Sequence, residues 1–152
     1  MELAQLLHDS SDEILAAANL AVERTHLKNE LRDGKEHTRQ RLKALFVLTT
    51  RAVKERNLGP MIAHAETIAR ERFNAGFDLA EVQTAFNVLE VATWTRIVQS
   101  VPPNEYSEDL GLVSTVLGAG KDALARTYVT LASKSRAGSL NLYSLFAGTE
   151  GA

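Results

Sequence analysis

The spacing of apolar residues predicts an all-α protein with five main helices. Over most of the 152 residues, apolar positions recur every three or four residues, which is the period of one helix face. No alternating run of β-branched and polar residues exceeds a few positions, so the pattern does not predict a sheet. After a helical lead-in at residues 3–8, the predicted helices span about 11–26, 35–56, 60–74, 79–101 and 108–136.

Glycine and proline mark the predicted helix boundaries. Gly59 is expected to cap the helix before it, and Pro60 suits the first turn of the next helix, where no backbone N–H is needed. A further break is expected at Ala137-Gly138-Ser139. The chain is therefore divided into one helical domain at 1–136 and a tail at 137–152.

A sharp turn is predicted between the third and fourth main helices. Gly76 is expected to adopt a left-handed conformation, and Asp78 with Glu81 is expected to form a capping box at the start of helix 79–101. That helix is apolar on most of its circumference, so it is predicted to be central. Five large side chains around the turn and on this helix are expected to form much of the core: Phe73, Phe77, Phe86, Leu89 and Trp94.

The fifth helix carries an apolar stripe with the alternating spacing of three and four that is typical of a coiled-coil seam. The interface candidates on this stripe are Leu110, Val113, Leu117, Leu124 and Leu131. Dimerisation and ordinary core packing both explain the stripe, and both stay open. At roughly 43 Å, the helix is longer than a compact domain of about 30–35 Å, so part of it is expected to project.

The tail has its own apolar cluster, and it is expected either to dock on the domain or to extend a dimer or partner surface. The candidates in this cluster are Leu142, Tyr143, Leu145 and Phe146.

Composition narrows the classes of function. The net charge of −2 gives the chain as a whole no nucleic-acid signature, although residues 23–56 hold ten Lys/Arg against five Asp/Glu. That basic stretch is either a solvated helix face or a patch for an acidic partner. The sequence contains no cysteine, no signal peptide and no apolar run of the ~20 residues that a membrane span needs. A cytoplasmic protein without membrane contact is expected.

No motif for catalysis or metal binding is present. Gly118-Ala119-Gly120-Lys121 resembles a phosphate loop only superficially, because Thr115 stands where the first glycine is needed and Asp122 replaces the Ser/Thr. Close packing at small residues is the preferred interpretation. Glu23 and His26 have the spacing of a di-iron ligand pair, but a second copy is missing. The sequence therefore predicts no enzyme, no cofactor and no metal.

The segment ARERFNAGFDLAEV at 69–82, continuing through AFNVL at 85–89 to Trp94, resembles the RsbT co-antagonist family, in its amino-terminal sensory domain of the RsbR/RsbRD type. The closing LFAGTE at 145–150 is similar to a segment that follows such domains. The resemblance covers about residues 12–136.

This resemblance implies a globin-like bundle without haem, usually a homodimer, that passes a signal to other signalling proteins of the stressosome. It places Arg72 and Glu81 as a salt bridge across the Gly76 turn. No output domain follows Arg136 in the sequence, so the chain is expected to be a stand-alone member or a fragment.

Two alternatives stay open beside this regulatory interpretation. One is a haem-binding globin-like sensor, with His64 as the candidate ligand because its neighbours on the helix are apolar. The other is a structural adaptor without a ligand, whose partner binds the basic face or the apolar cluster of the tail.

Overall fold

A computed structural model describes residues 2–25 and 34–150, and the side chains of these residues apart from Lys35 and 136–150. The described residues form six helices and no strand, which confirms the all-α prediction. In chain order, the helices are α1 (Leu3–Asp9), α2 (Ser11–Thr25), α3 (Lys35–Glu55), α4 (Gly59–Asn74), α5 (Leu79–Ser100) and α6 (Tyr106–Glu150).

The bounds of α3 and α4 agree with the prediction to within one residue, but the residue that caps α3 differs. Gly59 does not cap α3, because that helix already ends at Arg56, which takes the left-handed conformation with φ 55° and ψ 43°. Gly59 is instead the first residue of α4, and its N–H donates to Asn57 Oδ1 at 3.0 Å. Pro60 lies in the first turn of α4, as predicted.

The predicted break at Ala137-Gly138-Ser139 is wrong, because α6 continues through these residues to Glu150. One glycine in a helix interior costs only about 1 kcal/mol relative to alanine, which does not end a long helix when no proline follows. The 45 residues of α6 make it about 67 Å long. Ala132 is the last α6 residue described as partly buried, and the helix runs on for about 27 Å beyond it.

The long α6 packs along α4 and α5, and α2 packs on α5. The basic helix α3 packs against each of the other five described helices. The prediction that α5 is central holds only for its inner side, because Val91, Trp94 and Val98 on its outer side are exposed.

The core contains most of the large side chains that the sequence assigns to it. Phe77, Phe86 and Leu89 are buried, and Phe73 packs against the core from a partly buried position. The assignment of Trp94 is wrong, since this residue is 39% exposed. Apolar residues surround most of α5, but neighbouring helices cover only part of its circumference, and Trp94 lies at the edge of the covered part.

Three helices meet at Gly120. A Cβ atom on this residue would lie 2.6 Å from Phe86 Cε1 of α5 and 3.0 Å from Met61 Sδ of α4. On the same face of α6, Val113, Leu117 and Leu124 are each 0% exposed. Ordinary core packing therefore accounts for the middle of the predicted stripe, and small size at Gly120 is needed for the close approach.

Gly120→Ala is expected to lower the free energy of unfolding by about 1 kcal/mol or more. The added methyl group would overlap Phe86, and overpacking of this kind costs about 1–3 kcal/mol, which exceeds the gain of up to about 1 kcal/mol in helix propensity. Gly118→Ala is the matched control, because its Cβ would meet nothing within 4 Å, and it is expected to stabilise the protein. Urea unfolding followed by circular dichroism measures both, and a gain in both variants would contradict the packing argument.

Candidate protein-interaction surfaces

The outer face of α5 carries a row of exposed apolar side chains, named here the α5 stripe. Val91, Trp94 and Val98 are 66%, 39% and 49% exposed. Their spacing of three and four residues places them on one side of the helix. Together with Thr95 and Gln99, they line an open groove of about 590 Å³. The stripe is the type of exposed apolar surface that marks contacts between proteins.

Hydrogen bonds fix the tryptophan of the stripe to α6. Trp94 Nε1–H donates to Ser114 Oγ at 3.0 Å, and the Ser114 hydroxyl donates to Glu90 Oε1 at 3.2 Å. Lys121 Nζ lies 3.9 Å from Glu90 Oε2 and donates to Asn87 Oδ1 at 3.0 Å. The indole is therefore held in one orientation, and the Glu90 carboxylate beside it has a cation of its own protein as its partner.

A second groove, of about 290 Å³, lies between α2 and α5 and continues the α5 stripe. Its apolar lining residues are Ile14, Ala17, Ala21, Val88, Val91 and Ala92. At its rim, Arg96 forms an ion pair with Glu13 at 2.7 Å and donates from Nε to Ser10 Oγ at 3.0 Å. The described charges around the α5 stripe are thus paired within the chain.

The predicted turn after α4 is confirmed in its backbone. Gly76 has φ 85°, in the left-handed region, and the Phe77 N–H donates to the Arg72 carbonyl while the Gly76 N–H donates to the Phe73 carbonyl. These two bonds are the Schellman motif, which satisfies carbonyl groups at the end of a helix.

The predicted capping box is only partly present. Asp78 occupies the N-cap position of α5, but its side chain makes no capping hydrogen bond. The N–H of Glu81 donates instead to the backbone carbonyl of Asp78 at 3.1 Å. The extended backbone of Asp78, with ψ 146°, therefore starts the helix without its carboxylate. The proposed salt bridge between Arg72 and Glu81 stays a prediction.

Contacts of aromatic side chains connect the α4–α5 turn to α6. The Arg72 guanidinium carbon lies 4.9 Å from the centre of the Phe77 ring, and Phe73 meets Tyr128 edge-to-face at 5.6 Å. The Tyr128 hydroxyl donates to the Phe77 carbonyl at 3.1 Å. Burial raises the pKa of Tyr128 to about 12, and the positive charge of Arg72 offsets this effect only in part.

Tyr128→Phe is expected to lower the free energy of unfolding by about 1 kcal/mol at neutral pH, because the Phe77 carbonyl loses its donor. The raised pKa adds a pH dependence. Tyr128 makes its full contribution to the free energy of unfolding of the wild-type protein below the unfolded-state pKa of about 10. This contribution is lost as the pH rises towards the folded-state pKa of about 12. Urea unfolding at pH 8 to 12 should therefore show the difference between the two proteins narrowing, and a constant difference would contradict this role.

His64 has an unusual environment within α4. Its Nε2 atom is buried and has no hydrogen-bond partner, and burial lowers the pKa of the imidazole, with partial opposition from Glu71. His64 does not line either of the two grooves at α5. The described part of the chain also contains no group of three His, Asp or Glu residues placed to hold a metal ion.

Comparison with known proteins identifies the family. The model of the RsbT co-antagonist protein RsbRD N-terminal domain matches residues 4–137. The chain belongs to this family. Neither a curated protein nor a solved structure matches. Membership in the RsbRD N-terminal family indicates a regulatory or sensor domain associated with the stressosome. It also confirms the resemblance that the turn segment at 69–82 carries.

The residues singled out from the sequence lie in different environments. Gly76 and Asp78 meet at the α4–α5 turn, whereas Val113, Leu117 and Leu124 are buried in the core. Leu110 and Leu131 are partly buried, and the side chains of Leu142, Tyr143, Leu145 and Phe146 lie outside the described residues. In the described part of the chain, no helix is long and apolar enough to cross a membrane.

Sequence reasoning missed the α5 stripe. The positions of Val91, Trp94 and Val98 on one helix face are visible in the sequence, but the apolar pattern alone assigns them to the core. The sequence did contain one signal for an exposed apolar surface on α5, because this helix has more apolar residues than one buried face needs. A helix at the edge of a bundle cannot bury all its sides.

Proposed function

We propose that this chain is a non-enzymatic signal-input domain, acting in the cytoplasm through pairing with a second copy and contact with other stressosome-type signalling proteins. Its membership in the RsbRD N-terminal family supports the regulatory role. The exposed α5 stripe is the observation that supports pairing.

The chemistry of the α5 stripe suits a second copy of the same surface. In a two-fold symmetric contact each patch meets itself, so an unpaired charge would face a like charge. Here Glu90 is close to Lys121, Arg96 is paired with Glu13, and the remaining neighbours Thr95 and Gln99 are uncharged. An apolar row on a 22-residue helix with a neutral rim can therefore pair with its symmetry mate without electrostatic cost.

The hydrogen bond between Trp94 and Ser114 supplies a route from this contact to α6. A change in dimer packing that moves the indole would shift the amino-terminal half of α6. A straight helix transmits such a shift along its length, and α6 continues well past the last described core contacts. Two dimer arrangements with different α6 positions would be read by a partner as two signalling states.

Light scattering over a range of concentrations tests the pairing. The wild-type chain is expected to have twice the monomer mass of 16.6 kDa. Val91→Lys is expected to give the monomer, because it would bring two ammonium groups into the apolar contact. Val129→Lys is the matched control, since Val129 is 62% exposed on α6, outside the α5 stripe, and this variant should remain a dimer.

Three other results of this experiment would change the interpretation. A wild-type chain that stays monomeric up to high concentration would overturn the dimer mechanism. A dimer that survives Val91→Lys but dissociates in Leu142→Lys would place the interface in the carboxy-terminal part of α6. A haem band in the absorbance spectrum of the same sample would favour the haem-sensor alternative.

A further inference from the structure

The third helix is strongly basic in a chain whose net charge is negative. Residues 35–55 contain six Lys/Arg and two Glu, whereas the whole chain has a net charge of −2. The remaining surface is therefore acidic, and α3 is the exception. This asymmetry survives in the folded protein, because most of these cations lie on the outer side of the helix.

Four exposed residues of α3 follow one another at intervals of four: Arg39, Lys43, Val47 and Arg51. Lys54 is exposed beside the end of this row, and the distance along the helix from Arg39 to Lys54 is about 22 Å. Val47, at its centre, is 56% exposed. These five residues are named here the α3 basic face, an apolar side chain flanked by cations on both sides.

Most cations of the α3 basic face have no anionic partner among the described residues. Arg51 forms an ion pair with Glu55 at 3.1 Å, but Arg39, Lys43 and Lys54 make no ion pair with any residue that the structure describes. Like charges four residues apart on a helix, such as Arg39 and Lys43, destabilise it. A complementary anionic partner would remove that repulsion.

We propose that the α3 basic face binds an acidic surface of a partner protein, with carboxylates placed around an apolar side chain that contacts Val47. This inference takes from the proposed function only the idea that the partner is a signalling protein. The surface involved is different from the α5 stripe. The same face of a second copy does not fit, because it would oppose cation to cation.

Two other polyanions fit less well than an acidic protein. The described face has no aromatic side chain on which a base could stack. A membrane surface requires a broad apolar face to insert, whereas Val47 is the one large apolar residue exposed on α3.

Fluorescence anisotropy with the full chain tests the proposal. The probe is a labelled helical peptide of about 20 residues, with glutamates flanking a central leucine. Lys43→Glu combined with Lys54→Glu is expected to weaken its binding about tenfold or more. Arg70→Glu combined with Arg126→Glu makes the same charge change at exposed positions of α4 and α6, and it should alter the affinity less than about twofold.

A third variant separates specific docking from general attraction. Val47→Ser leaves the charge unchanged and should weaken binding several-fold if the leucine of the peptide meets this residue. Equal losses in both charge-reversal variants, or no effect of Val47→Ser, would overturn the proposal. Tighter binding of duplex DNA or of phosphatidylserine vesicles than of the peptide would also overturn it. Light scattering of the Lys43→Glu, Lys54→Glu variant shows whether pairing persists, so failure of this proposal is distinct from failure of the dimer.

Discussion

The absence of a side chain at Gly120 sets the distance at which α6 can approach α4 and α5. Phe86 and Met61 occupy the space that any Cβ would need, so the three helices are held at one separation. Two other links depend on that separation. Trp94 reaches Ser114 on one side of Gly120, and Tyr128 reaches the Phe77 carbonyl on the other. The hydrogen bond from Trp94 to Ser114 and the hydrogen bond from Tyr128 to Phe77 thus both depend on one close contact.

The two candidate surfaces differ in what they can recognise. The α5 stripe is apolar with paired charges at its edge, so it suits a copy of itself. The α3 basic face is excluded from such pairing by its own charge, so it requires a partner of opposite sign. A domain with both surfaces could assemble through one and receive or pass on information through the other. Because α3 contacts each of the other described helices, a partner bound there would touch an element that packs against every other part of the described bundle.

The sequence predicted best those features that depend on local chemistry. Gly76 was recognisable because few residues other than glycine adopt a positive φ, and Pro60 because proline suits a first helical turn. The capping residue of α3 was missed because a non-glycine residue, Arg56, takes the left-handed conformation. The position of Trp94 could not be derived either, since whether an apolar residue is buried depends on where the other helices lie. The apolar pattern that correctly identified α5 as a helix therefore does not determine which side of the helix remains exposed.

Trp94 is the only tryptophan in the chain, and it lies within the α5 stripe. The protein therefore carries an intrinsic optical reporter at the surface where a second copy is proposed to bind. The emission maximum of an indole shifts to shorter wavelength when water is excluded from it, and its intensity responds to neighbouring polar groups such as Glu90. Assembly and rearrangement at this face can thus be followed in unlabelled, unmodified protein, at concentrations far below those that scattering or crystallography require.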